Sequence, residues 1–154
     1  MPGNWAGYFK PKIKGCNMQT NKYELVELVI NSGTTGQRFN FPDQPKLRYV
    51  KLNAIETFDV NDLTVSSTGN ALVSAANLKL SYLVLYINGG ENVNRIPLVS
   101  LHRTQSGSNP DPFVMSLSQF QGQQVTWEKS YILTGNSITA ASTFSFLLGV
   151  YYTC

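Results

Sequence analysis

His102 is the one histidine in a chain of 154 residues, and that count alone removes several chemistries. A facial-triad or cupin-type metal site takes at least two imidazoles, and a Ser-His-Asp triad needs its histidine beside a nucleophile and a carboxylate. His102 stands instead next to Arg103, at the mouth of a Gly- and Pro-rich stretch over residues 106–112, a setting that reads as surface or loop anchoring. The nine acidic residues are scattered. Their one oxygen-rich group is Asp59-Val60-Asn61-Asp62, with Gly69 and Asn70 downstream. It has some of the oxygen richness of a loop calcium site but not the twelve-residue loop closed by Glu. Asx residues at a strand end make local turns, and the group is read that way.

Cys16 and Cys154 lie near opposite ends of the sequence, which is neither a CxxC nor a metal spacing, and they read as two free thiols. Gly89-Gly90 and the pair Gly33 and Gly36 lack the strand-to-helix context and the Gly-Lys-Ser/Thr of a phosphate loop, so they read as hairpin turns. No catalytic residue, metal ligand or cofactor is assigned, and the chain is expected not to be an enzyme.

The sharpest functional suggestion is N-terminal. Residues 1–22 combine Pro2, Gly3, Gly7, Pro11 and Gly15 with Trp5, Tyr8 and Phe9, followed by Lys10, Lys12 and Lys14. The stretch follows neither a 3.6-residue nor a sustained two-residue period, so it reads as an extended arm. Interleaved rings and cations suit a groove on a neighbouring subunit, nucleic acid or an anionic lipid surface. Three lysines are few for packaging a genome, so subunit contact comes first. The first 22 residues hold four lysines and no acid, which leaves eight Lys and Arg against nine Asp and Glu in the rest, a net of −1. A nearly neutral body lacks the self-repulsion that keeps monomers apart. Charged residues make up 14% of the chain, against roughly 25% in an average soluble protein.

The elements that must position these residues are strands. Residues 23–30 form an alternating run closed by the turn 31–36, and 38–41 reads as a short edge strand before Pro42 and Pro45. Residues 46–58 put Val50, Leu52 and Ala54 on one face and Tyr49, Lys51 and Asn53 on the other. Residues 62–65 read as a brief strand, and 71–77 offers a turn of helix at most. The strongest strand is 78–87, with Tyr82 and Tyr86 expected to pack beside Leu78, Leu80 and Val84. Its hairpin partner is 95–101, where Pro97 demands an edge or a bulge. A weaker run covers 113–117. Residues 124–134 alternate with Val125, Trp127, Tyr131 and Leu133 on one side, and 143–153 ends the series with Phe144, Phe146, Leu148, Val150 and Tyr152 on one face.

With 38–41 set aside as an extra edge strand, these runs predict eight principal antiparallel strands in one all-β domain over residues 23–154. A jelly-roll sandwich accommodates that number, and an immunoglobulin-like sandwich is the rival. The Cys-Trp-Cys core of true immunoglobulin domains is absent. A jelly roll sets its first and last strands side by side and antiparallel, so Cys154 is expected to approach the start of the first strand, near Cys16. The N-terminus shows no apolar signal segment, and the longest apolar runs, 82–87 and 146–152, are too short to span a bilayer as helices.

The progression from Tyr82-Leu-Val-Leu-Tyr-Ile-Asn-Gly-Gly90 through Ile96-Pro-Leu-Val99 and Thr126-Trp-Glu-Lys-Ser-Tyr131 to Phe146-Leu-Leu-Gly-Val-Tyr-Tyr152 resembles the single-jelly-roll vertex (penton) or minor capsid proteins of icosahedral bacteriophages. The resemblance implies a virion subunit that forms a homo-oligomer, a pentamer favoured, with its arm reaching other capsid proteins or an underlying membrane. A carbohydrate- or receptor-binding spike or fibre module is the alternative. It requires an open groove lined by Trp127 or several tyrosines, whereas assembly places those rings inside the sandwich or between subunits.

Overall fold

The computed structural model describes residues 22–62, 68–87, 90–91, 95–102 and 124–153. The arm residues Trp5, Tyr8, Phe9, Lys10, Lys12 and Lys14, both cysteines, residues 63–65 of the expected brief strand and the run 113–117 lie outside the described residues.

Strand β1 (Lys22–Ile30) buries Val26, Leu28 and Ile30 on one face, the two-residue alternation expected of a sheet with one face in the core. The turn after it needs a left-handed residue, which Gly33 supplies at φ +85° while the Thr34 N–H donates to the Asn31 carbonyl at 3.1 Å. Strand β2 (Thr35–Asn40) follows, then a 3-10 turn, Pro45–Leu47, and strand β3 (Lys51–Phe58). The expected strand over 46–58 therefore starts later. Val50 and Leu52 are buried and Tyr49 exposed, as the alternation requires.

Beyond Leu52 the phase of β3 changes. Tyr151 pairs with Ala54 and Tyr152 with Leu52, so Asn53 is an extra residue opposite that step, a β-bulge. Leu52 and Ile55 consequently both reach the main core.

Two short elements come next, strand β4 (Ala71–Leu72) and helix α1 (Ala75–Lys79). The helix starts where the Ser74 hydroxyl accepts the Asn77 N–H at 3.2 Å, a serine N-cap. The run 78–87 is thus not one strand. It divides into the end of α1, strand β5 (Ser81–Val84) and strand β6 (Tyr86–Ile87), which pairs with β7 (Gly90–Glu91) in a separate two-stranded ribbon. Leu80 caps the helix and is exposed. Leu83 and Leu85 fill the core instead, while Tyr82 and Tyr86 are half-buried. Strand β8 (Ile96–Pro97) pairs with β5, and a 3-10 turn, Leu98–Leu101, follows.

Residues 124–134 also depart from a single strand. Trp127–Lys129 is a 3-10 turn, which resets the alternation, so that Val125 and Trp127 before it and Ile132 after it are buried while Tyr131 and Leu133 are half-buried. Strands β9 (Tyr131–Thr139) and β10 (Phe144–Thr153) complete the chain.

Among the described residues, and apart from the β6–β7 ribbon, the strands form two four-stranded sheets. One has the order β1-β10-β3, with β4 added in parallel to β10; the other is β2-β9-β5-β8, with Pro97 on an edge strand as its missing N–H demands. Their facing sides supply one apolar core, from Val26, Phe146, Leu148 and Val150 of the first sheet to Phe39, Leu83, Ile96 and Ile132 of the second. The molecule is an all-β sandwich. Each fully buried Leu, Ile or Phe of this core contributes about 1.5–3 kcal/mol relative to exposure. No helix among the described residues is long and apolar enough to cross a membrane.

Candidate functional site

The chemically most loaded place in the described structure is where β3 ends. Asp59 leaves the strand into a turn closed by the Asp62 N–H donating to the Asp59 carbonyl at 3.0 Å. Each carboxylate also takes a main-chain proton of the same turn. The Asn61 N–H donates to Asp59 Oδ1 at 2.8 Å, and the Asp59 N–H to Asp62 Oδ2 at 2.6 Å. These are the Asx turns foreseen from the residue types, and they fix both carboxylates in direction.

His102 arrives from 40 positions further along the chain. The 3-10 turn before it is held down by Leu98 and Leu101, both fully buried. The Thr57 hydroxyl donates to the Leu98 carbonyl at 3.0 Å, and Thr57 and His102 form an isolated parallel bridge. The imidazole is thereby laid against the turn: Nε2 is 2.9 Å from Asp62 Oδ2 and 3.6 Å from Asp59 Oδ2. The side chains of Asp59, Asp62 and His102 are 7%, 5% and 21% exposed. Without a metal, the Nε2–H donates to Asp62 Oδ2, so that one imidazole and two carboxylates meet at this point.

One ligand atom from each of the three side chains lies within 4.8 Å of the others. The sequence reading assigned no metal ligand and kept His102 apart from the Asp59-Asn61-Asp62 loop. The structure brings them together as one potential donor set of one imidazole and two carboxylates. The oxygen-rich loop was the visible half of the signal; the histidine joins it only through the tertiary bridge at Thr57.

A second polar node lies on the face of the first sheet turned away from the main core. Glu56 is buried, and the hydroxyls of Tyr23 and Tyr151 donate to its Oε1 at 3.0 and 3.4 Å. The two rings meet edge to face at 4.8 Å between centroids. Gly149, opposite Glu56 in the ladder, makes the room. A Cβ there would lie 2.8 Å from Glu56 Cγ and from Tyr23 Cε2, and closer still to the Tyr23 hydroxyl.

The aromatics considered for sugar stacking are mostly committed elsewhere. Trp127 is 3% exposed and meets Phe41 edge to face at 5.5 Å. The apolar cavity beside it, lined by Leu47, Val50, Leu52, Val125 and Val150, measures about 10 Å³, far below the roughly 300 Å³ at which ligand pockets begin. Arg38 lies over the Tyr131 ring at 3.8 Å, and Lys129 over Tyr86 at 4.9 Å. No family model, curated protein or solved structure matches the chain.

Proposed function

We propose that this chain is a structural subunit of a virus particle: a single-jelly-roll capsid protein that assembles with copies of itself, as a pentamer at a five-fold vertex, and docks on neighbouring capsid proteins through its N-terminal arm. The observation that carries this reading is the nesting of the strand pairs. A jelly roll wraps one long antiparallel hairpin into two sheets, so that of eight strands the first pairs with the last, the second with the seventh, and the fourth with the fifth. Among the described strands, the pairs β1–β10, β2–β9 and β5–β8 nest as the first, second and innermost pairs of that series do. The run 113–117 lies outside the described residues.

From fold to function the step is analogy, supported by the nearly neutral body, the burial of Trp127, and an arm that holds the positive excess. Against the sugar-binding alternative stands the burial of Trp127, which is 3% exposed. The test is the mass of the full-length chain in solution beside that of a chain lacking residues 1–21, Lys22 being already part of β1. The truncated chain is expected to melt cooperatively and to fail to join particles. Its normal incorporation would remove the docking role of the arm.

A further inference from the structure

We propose that Asp59, Asp62 and His102 bind a divalent transition-metal ion, with zinc the best fit. The donor set decides the class. Imidazole favours zinc and its neighbours over calcium and magnesium, whereas carboxylates accept either group. Calcium takes six to eight oxygens in a flexible cage, and magnesium holds on to its waters. Among the described residues the set is three side chains, one of them a nitrogen donor, which is fewer and softer than either ion takes. They match the zinc pattern of three protein ligands and an open fourth position.

Geometry agrees. Ligand atoms on a tetrahedral zinc, each about 2.0–2.1 Å from the ion, lie about 3.4 Å apart. The distances from His102 Nε2 to the two carboxylates, 2.9 and 3.6 Å, bracket that value, and all three ligand atoms lie within 4.8 Å of one another, so side-chain adjustment closes the set on an ion. The ligands are also pre-oriented. Main-chain N–H groups hold Asp59 Oδ1 and Asp62 Oδ2, and the buried Leu98 and Leu101 hold the turn that carries His102. Such outer contacts are what fix ligand direction in metal sites.

Electrostatics favours the ion as well. Two nearly buried carboxylates placed side by side are costly to desolvate, and a divalent cation neutralises both at once. On binding, the Nε2 proton is released and its lone pair passes to the metal; no electrons are transferred. The ion would clamp the turn after β3 to the segment after β8, fastening that end of the sandwich.

The test uses the full-length chain, freed of metal with EDTA and titrated calorimetrically with ZnCl₂, CaCl₂ and MgCl₂. One zinc per chain is expected, with a raised melting temperature and with calcium and magnesium at least about tenfold weaker. His102→Gln and Asp62→Asn, checked for folding by circular dichroism, are each expected to weaken zinc about 100-fold. Because His102 is the one histidine, the ¹⁵N resonances of its ring provide a readout in the native chain that depends on no variant: saturating zinc should shift them. Cobalt in place of zinc should give a spectrum without a thiolate charge-transfer band, which separates this site from Cys16 and Cys154. Unshifted imidazole resonances, a thiolate band, unchanged binding in both variants or a preference for calcium would overturn the proposal and leave a hydrogen-bonded clasp.

Discussion

The two sheets differ in how strictly their strands are held in register. β1 and β10 pair through nine consecutive partners, from Lys22 with Tyr152 to Ile30 with Phe144, without a shift. In the other sheet, β2 and β9 step from Gly36 with Ile138 directly to Arg38 with Leu133, so several residues of β9 bulge out. The cause is the core-facing pattern. β10 presents Phe144, Phe146, Leu148, Val150 and Tyr152 on one face in unbroken alternation, whereas β9 interrupts its pattern with the exposed Gly135, Asn136 and Ser137. Register is enforced where a slip would expose apolar side chains and is free where it would not. The β1–β10 pair is the frame of the molecule; β3 meets it with one extra residue, Asn53, and the β2–β9 pair absorbs the larger irregularity.

The largest expected effect breaks that comparison by insertion. One alanine between Leu148 and Gly149 reverses the facing of half of β10 and expels at least Val150 and Tyr152, or the residues before them, from the core. At about 1.5–3 kcal/mol for each residue, together with the lost ladder, this approaches the whole stability of a domain of this size. Circular dichroism should show no cooperative melt. The same insertion between Asn136 and Ser137 enlarges an existing bulge and should cost about 1 kcal/mol. Comparable losses at the two places would refute the distinction between frame and adaptable sheet.

Two glycines sharpen it. Gly149→Ala drives a Cβ into Tyr23 and Glu56 on a ladder that cannot shift, and should destabilise by about 1–3 kcal/mol in urea unfolding. Gly135→Ala meets the Leu80 carbonyl at 3.3 Å on a segment that can yield, and it stiffens the unfolded chain, so the change should stay within about 1 kcal/mol of zero.

The smallest effects are electrostatic. Burial raises the Tyr152 hydroxyl above the ordinary tyrosine value, and the charge of Glu24 adds to the rise. The fold therefore keeps that proton to higher pH than the unfolded chain does. The contribution is complete below about pH 10 and is lost as pH climbs through the folded value. Melting temperatures of the native chain should fall on the alkaline side, and Tyr152→Phe should flatten that slope. In the loop after β2, Arg48 hydrogen-bonds Asp43 and holds its carboxyl below the usual range. Its contribution has the opposite sign, present above the ordinary aspartate value and lost as pH falls through the lowered one, and solvent screening keeps it slight. An acid-side loss larger than the alkaline one would reverse this order.

Much of the frame could be read from residue types. The alternation of β10 and β1 and the buried set Val50 and Leu52 follow from a two-residue period, and Pro97 announced an edge. What escaped were the changes of phase. The Asn53 bulge and the 3-10 turn at Trp127–Lys129 each insert a residue count that alternation cannot anticipate, because a neighbouring strand or the core decides them. The short helix over Ala75–Lys79 is set by the Ser74 cap, in a run whose apolar residues suit strand and helix alike. For the proposed site, Asp59 and Asp62 stand in a local cluster that the sequence displays, but His102 is brought to them by packing of Leu98 and Leu101, which no spacing encodes.

The central claim, a jelly-roll subunit built to assemble, is tested most directly by light scattering on the purified full-length chain across a range of concentrations. The account predicts a closed oligomer of defined mass, five times the 17.1 kDa of the single chain. A constant mass of one chain at every concentration would contradict it.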